Sequence, residues 1–332
     1  MEKKRFAELV SNFEGKKMLV IGDLMIDEYL WGTVSRISPE APVPIVEITS
    51  ESIRPGGAAN VAGNIASLGG KPVLVGVVGD DLSGRKLLDM ITGLGLSPSS
   101  IVKTEDRHTT QKSRVIAHSQ QVVRVDRENA EGLGEEAKGR LLNEVRKNID
   151  RVDGVVLEDY DKGVFHGGLA EEVVQIAKDA GKFSAADPKR EHFFDYRGVS
   201  LFKPNQREAE AVLGVKIKGV TQLEECCREL MLRLDGSPIL MTRGSEGMVL
   251  LDDEGFWSVP ALLKEIYDPS GAGDTVIAVM TLAVAAGASL REAAVIANCA
   301  ASVEVSKFGT AVVTRQELLE CSKSCGDDAK GG

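Results

Sequence analysis

The segment of this sequence best suited to chemistry is the loop at residues 268–274, which reads Asp-Pro-Ser-Gly-Ala-Gly-Asp. Its proline and glycines exclude a strand and favour tight turns. The small residues that follow predict a helix, whose free N–H groups would make Gly271, Ala272 and Gly273 a candidate anion hole. Asp274, in the first turn, is a candidate base for a substrate hydroxyl. Taken alone, the motif also fits an ordinary helix N-terminus.

A second glycine cluster, residues 55–62, reads Pro-Gly-Gly-Ala-Ala-Asn-Val-Ala and opens another predicted helix. Gly56 and Gly57 would let a ligand approach the backbone closely. Asn60 offers both a donor and an acceptor to sugar hydroxyls. The alternative interpretation is a tight turn with close packing between helix and sheet.

Two further clusters follow predicted strands. In Lys-Pro-Asn-Gln-Arg-Glu, residues 203–208, the spacing places Asn205 and Glu208 on one helical face. That arrangement suits a water-mediated magnesium site or, alternatively, an N-cap. Residues 242–244, Thr-Arg-Gly, follow a strand at the carboxyl end, where α/β sheets bind ligands.

The elements that would position these residues alternate between apolar runs and amphipathic stretches, which predicts an α/β fold with a mostly parallel central sheet flanked by helices. The predicted strands are 18–22, 73–78, 155–157, 200–202 and 239–242, followed by a hairpin of 247–251 and 255–259. The predicted helices are 60–68, 85–94, 135–149, 169–180, 207–213, 223–234, 273–286, 290–306 and 314–321.

Two segments break this alternation. Residues 29–49 contain Trp31 and three prolines in an extended pattern that no helix would tolerate. Residues 109–117 and 121–127 predict a second strand pair around the turn at 118–120. We therefore expect a small accessory β-sheet that acts as a lid, with segments at about 28–50 and 107–127. The domain is expected to span 1–322, with a disordered tail at 323–332.

Composition restricts the class of protein. The 332 residues are 43% hydrophobic, enough for a sizeable core. The 50 acidic and 40 basic residues give a net charge of −10, which disfavours nucleic acid and membrane surfaces as partners. The five cysteines lack metal-ligand spacing, the four histidines are interpreted as surface or hydrogen-bonding groups, and no signal peptide is apparent, so a cytoplasmic location is expected.

Together the four clusters resemble the ribokinase-like, pfkB-type carbohydrate kinases. The two family signatures match residues 55–70 and 268–274, and the family's Asn-x-x-Glu matches 205–208. The resemblance implies a ribokinase-like fold, ATP and Mg²⁺ as cofactors, monovalent-cation dependence as an open question, and a homodimer formed through the lid. It implies ATP contacts by Lys203, Asn205, Glu208, Thr242, Arg243, Gly244 and Asn298, with Glu208 and Asn205 positioning the metal mainly through water.

Segments 21–32, 36–44, 158–163 and 187–189 look more specifically like the bacterial heptose-7-phosphate kinases. These enzymes phosphorylate the anomeric hydroxyl of D-glycero-D-manno-heptose 7-phosphate in ADP-heptose synthesis for lipopolysaccharide core. In many bacteria the kinase is fused to a nucleotidyltransferase with an HxGH motif. The present sequence has no HxGH, so we expect a kinase-only protein. The runner-up is another sugar or nucleoside kinase, for ribose or fructose.

A phosphorylated sugar requires cations near its phosphate. Lys112 and Arg114 alternate along one predicted strand and so face the same way, while Lys162 and Lys189 are further candidates. The predicted substrate-binding residues are Asp23, Asp27, Gly56, Gly57, Asn60, Lys112, Arg114, Lys162 and Lys189. Residues 107–112 depart from the threonine-rich run expected in heptose kinases, and Ser270 replaces the more usual threonine.

Two other classes remain as alternatives. A dinucleotide-binding oxidoreductase is disfavoured because no GxGxxG follows the first strand. A catalytically silent sugar-binding protein on the same fold is disfavoured by the intact loop at 271–274.

Overall fold

The computed structural model describes residues 1–118, 120–262, 270–307 and 311–324. The strands are β1 Lys17–Gly22, β2 Leu24–Ile37, β3 Pro44–Gly57, β4 Lys71–Gly79, β5 Ile101–Thr104, β6 Thr110–Ala117, β7 Gln120–Arg127, β8 Gly154–Glu158, β9 Phe183–Asp187, β10 Leu201–Phe202, β11 Ile239–Thr242, β12 Met248–Asp252 and β13 Gly255–Val259. The helices are α1 Lys3–Ser11, α2 Ala58–Ser67, α3 Leu82–Gly93, α4 Glu135–Asn148, α5 Leu169–Asp179, α6 Gln206–Leu213, α7 Val220–Arg233, α8 Ala272–Ala285, α9 Leu290–Glu304 and α10 Arg315–Ser324.

A large central sheet has the order β13-β12-β11-β10-β9-β8-β1-β4-β5 in the described part of the chain. The pairings from β11 through to β5 are parallel, and β12 and β13 add an antiparallel edge. After the exposed Lys17, strand β1 has no polar side chain because it is covered on both faces. Its Met18 and Val20 belong to the core beneath α2, α8 and α9, whereas Leu19 and Ile21 belong to the core beneath α4, α5 and α7.

Helix α8 lies in the middle of one of these cores. Every residue from 274 to 283 is buried, which explains why its sequence is apolar on all sides. Its contacts with α2, α9, β8 and β9 hold the first turn over the ends of the strands. The chain therefore positions Asp274 through a rigid, fully packed helix.

A second sheet has the order β3-β2-β6-β7. Strand β2 begins two residues after β1 ends, and β3 leads directly into α2, so this small sheet joins the central one through short connections. Register shifts between Trp31 and Gly32 and between Val34 and Arg36 bend the long β2–β3 pair.

The predicted class, an α/β fold with a mostly parallel sheet and a small accessory sheet, is confirmed. The accessory strands are longer than the predicted segments, since β2 starts at Leu24 and β3 ends at Gly57. The sequence analysis missed α1, β5 and β9. After Phe183, strand β9 contains only Ser, Ala, Ala and Asp, and β5 has only two apolar residues, so neither has a strong strand signal.

Some expectations fall outside the described residues. These include Asp268 and Pro269 of the signature loop, Ser119 of the strand-pair turn and residues 325–332 of the expected tail. Helix α10 continues to Ser324, so the first two residues of that tail are helical. Among the described residues, no helix combines the length and the apolar character needed to cross a bilayer.

Candidate active site

Asp274 lies in the first turn of α8, three positions after Gly271, which adopts a φ of 96° at the N-cap. That backbone conformation favours glycine and turns the chain sharply into the helix. One carboxylate oxygen of Asp274 accepts a hydrogen bond from Asn60 Nδ2 and the other from the Tyr160 hydroxyl, both at 2.7 Å. Burial raises the pKa of Asp274 to about 6, against the opposing effect of these hydrogen bonds. The group is therefore a carboxylate that can take up a proton near neutral pH.

Tyr160 connects Asp274 to a group of cations. The ammonium groups of Lys112 and Lys189 each lie 5.1 Å from the centroid of its ring, in cation–π contact. Lys112 comes from β6 of the small sheet, and Lys189 from the loop after β9. The ring thus lies where the small sheet and the central sheet meet.

The loop that carries Tyr160 is held by Asp23. The Asp23 carboxylate accepts hydrogen bonds from the backbone N–H groups of Tyr160, Lys162 and Val164, at 2.8, 3.1 and 3.3 Å. Only 1% of Asp23 is exposed. In the structure the Asp23 carboxylate thus shapes the loop of Tyr160, a role that the sequence analysis did not assign to it.

Three buried carboxyl groups converge at the ends of β8 and β9. Single oxygen atoms of Glu158, Asp187 and Asp274 all lie within 4.8 Å of one another. Burial, together with the charges of Asp187 and Asp274, raises the pKa of Glu158 well above its usual value. The surroundings of Glu158 therefore favour its neutral form over a carboxylate that would add a third negative charge to the group.

Two lysines balance the remaining charge. Lys203 Nζ lies 2.8 Å from Asp187 Oδ2, and both side chains are almost fully buried. Lys189 Nζ lies 3.6 Å from Asp187 Oδ1 and 3.1 Å from Glu208 Oε1. Burial lowers the pKa of Lys189, but the adjacent carboxylates outweigh it and raise the pKa, so the lysine stays charged.

A cavity of about 340 Å³ opens beside this charge network. The cavity is lined by these predicted site residues: Lys189, Lys203, Asn205, Thr242, Gly244, Gly271, Ala272, Gly273, Asp274 and Asn298. Tyr160 and Asp187 line it as well. A cavity that brings strand ends, a helix N-terminus and buried titratable groups together has the properties of a ligand-binding site in an α/β fold.

Asn205 and Glu208 form a capping box at the start of α6. Asn205 Oδ1 accepts the Glu208 N–H at 2.9 Å, and Glu208 Oε2 accepts the Asn205 N–H at 2.8 Å. The N-cap interpretation is thus correct. It leaves Glu208 Oε1 beside Lys189 and Asn205 on the cavity wall. Together with Asp187, these oxygens are hard donors of the kind that Mg²⁺ binds directly or through water.

Arg243 does not take the predicted position. Its guanidinium donates to Gln206 Oε1 at 3.1 Å and pairs with Glu246. It is absent from the cavity wall that its neighbours Thr242 and Gly244 form. Asn298 lies on that wall, and its amide donates to the Pro260 carbonyl at 2.8 Å.

The glycine pair before α2 forms the end of β3 in the small sheet. Gly56 lies opposite Met25 in the β2–β3 pairing, and a Cβ on Gly56 would come within 2.3 Å of Asp27 Oδ2. Asp27 pairs with Arg114 of β6, and Gly57 adopts a positive φ of 61°. The predicted residues Asp27, Gly56 and Arg114 thus meet in one place.

Lys162 has a carboxylate partner. Its ammonium lies 2.9 Å from Glu128 Oε2, and its carbonyl accepts from the Arg107 guanidinium. Burial and the charge of Lys162 lower the pKa of Lys112, outweighing the opposite effect of Asp27. Lys112, Arg114 and Lys162 therefore form one cationic group, in which Lys112 lies over the Tyr160 ring while Arg114 and Lys162 pair with Asp27 and Glu128. A bound anion would stabilise the charged form of Lys112.

Sequence reasoning missed three residues of this site, Tyr160, Glu158 and Asp187. Glu158 and Asp187 are the last residues of β8 and β9, and Tyr160 lies two positions after β8. Because parallel strands place their carboxyl ends at one edge, that location was the signal that could have identified them.

Comparison with known proteins agrees with this geometry. Residues 16–316 match the family described as pfkB family carbohydrate kinase. The chain therefore belongs to that family, and the predicted class of enzyme, an ATP-dependent sugar kinase on a ribokinase-like fold, is confirmed.

The curated relatives are more specific. The chain is 42% identical over 310 residues to the bifunctional protein HldE of Desulfatibacillum aliphaticivorans, covering 93% of this chain and 63% of that protein. It is 41% identical over 303 residues to bifunctional protein HldE of Helicobacter pylori strain J99, covering 91% and 65%. The chain thus spans somewhat less than two thirds of these relatives. The predicted resemblance is confirmed at the level of these bifunctional HldE proteins and of the pfkB carbohydrate kinase family.

Solved structures share the fold at lower identity. Phosphofructokinase-2 from Escherichia coli in complex with potassium has a TM-score of 0.77 and 20% identity, covering 94% of this chain and 99% of that one. A putative ribokinase from Agrobacterium tumefaciens also has a TM-score of 0.77, with 19% identity and coverage of 94% and 98%. At this identity the similarity establishes the architecture.

Proposed function

We propose that this chain transfers the γ-phosphate of Mg·ATP to the anomeric hydroxyl of D-glycero-β-D-manno-heptose 7-phosphate, giving the 1,7-bisphosphate used in ADP-heptose synthesis. The observation that carries the proposal is the environment of Asp274. A buried carboxylate with a pKa of about 6 lies in the first turn of a helix, between a cavity and a group of cations. The kinship with HldE proteins supports the choice of sugar.

Asp274 is proposed as the general base. Asn60 and Tyr160 hold its two oxygens in place, so the carboxylate keeps one orientation when a hydroxyl binds. A pKa near 6 leaves the group mostly deprotonated at pH 7 and able to accept the proton of the attacking hydroxyl. The backbone N–H groups of Ala272, Gly273 and Asp274 begin α8 and would stabilise charge on the transferred phosphoryl group.

ATP is proposed to occupy the cavity between Thr242, Gly244 and Asn298, with its phosphates directed toward the N-terminus of α8. Lys203 and Lys189 are the cations on this wall. Asp187, Asn205 and Glu208 are the oxygen donors that would hold Mg²⁺. When bound, the ion would neutralise phosphate charge during transfer.

The 7-phosphate is assigned to the cationic group beside Tyr160. Lys112 and Arg114 extend from the same face of β6, and Arg114 already pairs with Asp27. Lys112 is the cation of this group that lies directly over the Tyr160 ring. A substrate that carries both a hydroxyl for Asp274 and a phosphate for Lys112 would span the junction between the two sheets.

The test is an assay of ADP release with Mg·ATP and a panel of sugars, run in K⁺ and in Na⁺ buffers, with the product identified by ³¹P NMR. A new anomeric phosphate on heptose 7-phosphate, with little turnover of ribose or fructose, is the expected result. If only an unphosphorylated sugar is turned over, the chain is a sugar kinase, but heptose 7-phosphate is not its substrate. Absence of turnover with every sugar would favour the sugar-binding alternative.

We also propose a homodimer through the small sheet. Every residue of the edge strand β7 is exposed, and Val122, Val123 and Val125 are 41%, 47% and 58% exposed. An exposed apolar edge strand is a surface for pairing with a second copy. Light scattering of the wild type should give the mass of a dimer, and Val125→Lys should give a monomer; a monomeric wild type would reject the proposal.

A further inference from the structure

Two histidines from separate loops lie side by side outside the cavity described above. His166 lies in the loop between β8 and α5, and His192 in the loop that follows β9. Their ring centroids are 4.3 Å apart and their planes are inclined at 64°. Glu191 completes the group, because His166 Nε2 lies 3.3 Å from Glu191 Oε2. One donor atom from each of the three residues lies within 4.8 Å of the others.

The Nε2 nitrogens of both histidine rings lack hydrogen bonds within the described residues. Nε2 of His166 and Nε2 of His192 are shielded from solvent, and neither makes a hydrogen bond of acceptable geometry within the described residues. The His166 and His192 side chains are 29% and 14% exposed. A shielded ring nitrogen without a partner is costly, so two of them beside a carboxylate indicate a missing ligand.

Asp195 orients one of these rings. Its Oδ2 lies 3.0 Å from His192 Nδ1, which places the ring proton on Nδ1 and leaves the lone pair on Nε2 free. A carboxylate behind a histidine is the usual support of a metal-bound imidazole. Asp161, whose Oδ1 accepts the Glu191 N–H at 3.3 Å, adds another negative charge nearby. The surroundings therefore favour a cation.

We propose that His166, Glu191 and His192 bind a divalent transition-metal ion, with Zn²⁺ as the best match. Two imidazoles and one carboxylate suit Zn²⁺, Co²⁺ or Ni²⁺, whereas Mg²⁺ prefers oxygen donors alone. Donors around a tetrahedral zinc ion are separated by about 3.3 Å, so small side-chain rotations would complete the site. Three protein ligands leave a fourth position for water.

The site would join two loops of the active centre. The loop from Asp159 to Gly168 carries Tyr160, and the loop after β9 carries Lys189. A metal ion bound by His166 and His192 would hold these loops together without contacting Asp274. We therefore expect it to stabilise the fold, and the proposal does not depend on which sugar is phosphorylated.

The experiment titrates untagged, chelator-treated full-length protein with Co²⁺ in the presence of excess Mg²⁺, which occupies oxygen sites. We expect one equivalent of Co²⁺ with the visible absorption of a low-coordinate ion, displaced by one equivalent of Zn²⁺. Elemental analysis after dialysis should give the same stoichiometry, and Zn²⁺ should raise the melting temperature. Absence of any bound transition metal would overturn the proposal.

Variants identify the ligands. His166→Ala and His192→Ala should each lose the equivalent of Co²⁺, whereas the exposed His108→Ala should retain it. Asp195→Asn should weaken binding about 10- to 100-fold, because Asp195 supports the His192 ring. Unchanged binding in both ligand variants would place the metal elsewhere and reject the assignment.

One further variant tests residue 166 through a new absorption band and not through a loss of metal binding. His166→Cys keeps a ligand for Co²⁺ and should add a strong thiolate-to-cobalt charge-transfer band that the wild type lacks. A Co²⁺ complex of this variant without the new band would show that residue 166 is not a ligand.

Discussion

The hydroxyl of Tyr160 donates a 2.7 Å hydrogen bond to Oδ1 of Asp274, although 114 positions separate the two residues in the chain. This bond joins the loop after β8 to the first turn of α8. It also places against the proposed base an aromatic ring that Lys112 and Lys189 both contact. The protonation state of Asp274 and the position of a phosphorylated substrate are thereby connected through one side chain.

Removing this hydrogen bond should shift the pH dependence of the reaction. The bond favours the charged form of Asp274, so Tyr160→Phe should raise the pKa of that carboxyl and move the acid limb of kcat/KM upward by about half a unit to one unit. The measurement is the pH profile of the wild type and variant with the same substrates. Tyr196→Phe, which removes a similar bond to Asp159, is the control and should leave the limb unchanged. If the acid limb of kcat/KM for Tyr160→Phe coincides with that of the wild type, the Tyr160 hydrogen bond does not affect the pKa of Asp274.

Replacing Asp274 should remove the base and preserve the cavity. Asp274→Asn keeps the shape of the side chain, and we expect turnover to fall by at least about 10²- to 10⁴-fold. ATP affinity, measured by calorimetry, should stay near the wild-type value because the wall at Thr242 and Gly244 is unaltered. Turnover equal to that of the wild type would eliminate Asp274 as the base.

The same variant should be more stable than the wild type at high pH. Because the folded-state pKa of Asp274 is about 6 and the unfolded value is about 3.8, the folded protein holds the proton more tightly. This contribution to stability is complete below about pH 4 and is lost as the pH rises through 6. Asn at position 274 has no carboxyl group to ionise, so the variant does not lose this stability as the pH rises. Its free energy of unfolding should exceed that of the wild type by up to about 3 kcal/mol at pH 8.

Urea unfolding at pH 4 and pH 8 measures this difference. The excess stability of Asp274→Asn should be present at pH 8 and nearly absent at pH 4. Asp89→Asn, at an exposed position of α3, should behave like the wild type at both values. A variant less stable than the wild type at pH 8 would contradict the raised pKa.

Lys112 should distinguish phosphorylated from unphosphorylated sugars. Loss of a charged contact to phosphate is worth about 1.5–3 kcal/mol, so Lys112→Ala should raise KM for heptose 7-phosphate roughly 10- to 100-fold. KM for an unphosphorylated sugar should change little, and Lys147→Ala on the exposed face of α4 should affect neither. Equal increases in KM for both sugars would mean that Lys112 does not contact the phosphate.

Gly56 should be intolerant of a side chain for a local reason. A Cβ at this position would lie 2.3 Å from Asp27 Oδ2 and 2.9 Å from Met25 Cγ, so Gly56→Ala must shift the side chain of Asp27, which pairs with Arg114. We expect Gly56→Ala to lower the free energy of unfolding by about 1–3 kcal/mol. It should raise the KM for the sugar by a larger factor than the KM for ATP.

Gly139→Ala in α4 is the matched control for Gly56→Ala. No neighbouring atom lies within 4 Å of its added Cβ, so the alanine should stabilise the helix by about 0.5–1 kcal/mol. Urea unfolding and steady-state kinetics on both variants separate the two cases. If Gly56→Ala has the kinetics and stability of the wild type, the position of Asp27 does not depend on the absence of a side chain at residue 56.

Local sequence was sufficient to predict the α/β alternation, the helix beginning near Asp274 and the extended segments of the small sheet. These features depend on neighbouring residues: apolar periodicity, glycines that permit turns, and prolines that exclude helices. An N-cap at residues 205–208 was one of the two interpretations of that segment, since both partners lie within one turn, and the structure shows it as a capping box. The family signatures then identified the class of kinase.

Tertiary structure decided the roles of individual side chains. Asp23 and Asp27 are four positions apart, yet one holds the loop of Tyr160 and the other pairs with Arg114. The convergence of Glu158, Asp187 and Asp274 required the ends of β8 and β9 to meet the first turn of α8, and that of His166 with His192 required the loops after β8 and β9 to lie side by side. Burial at that edge then set the pKa of Asp274, because desolvation depends on the whole surroundings of a carboxyl group and not on its neighbours in the chain.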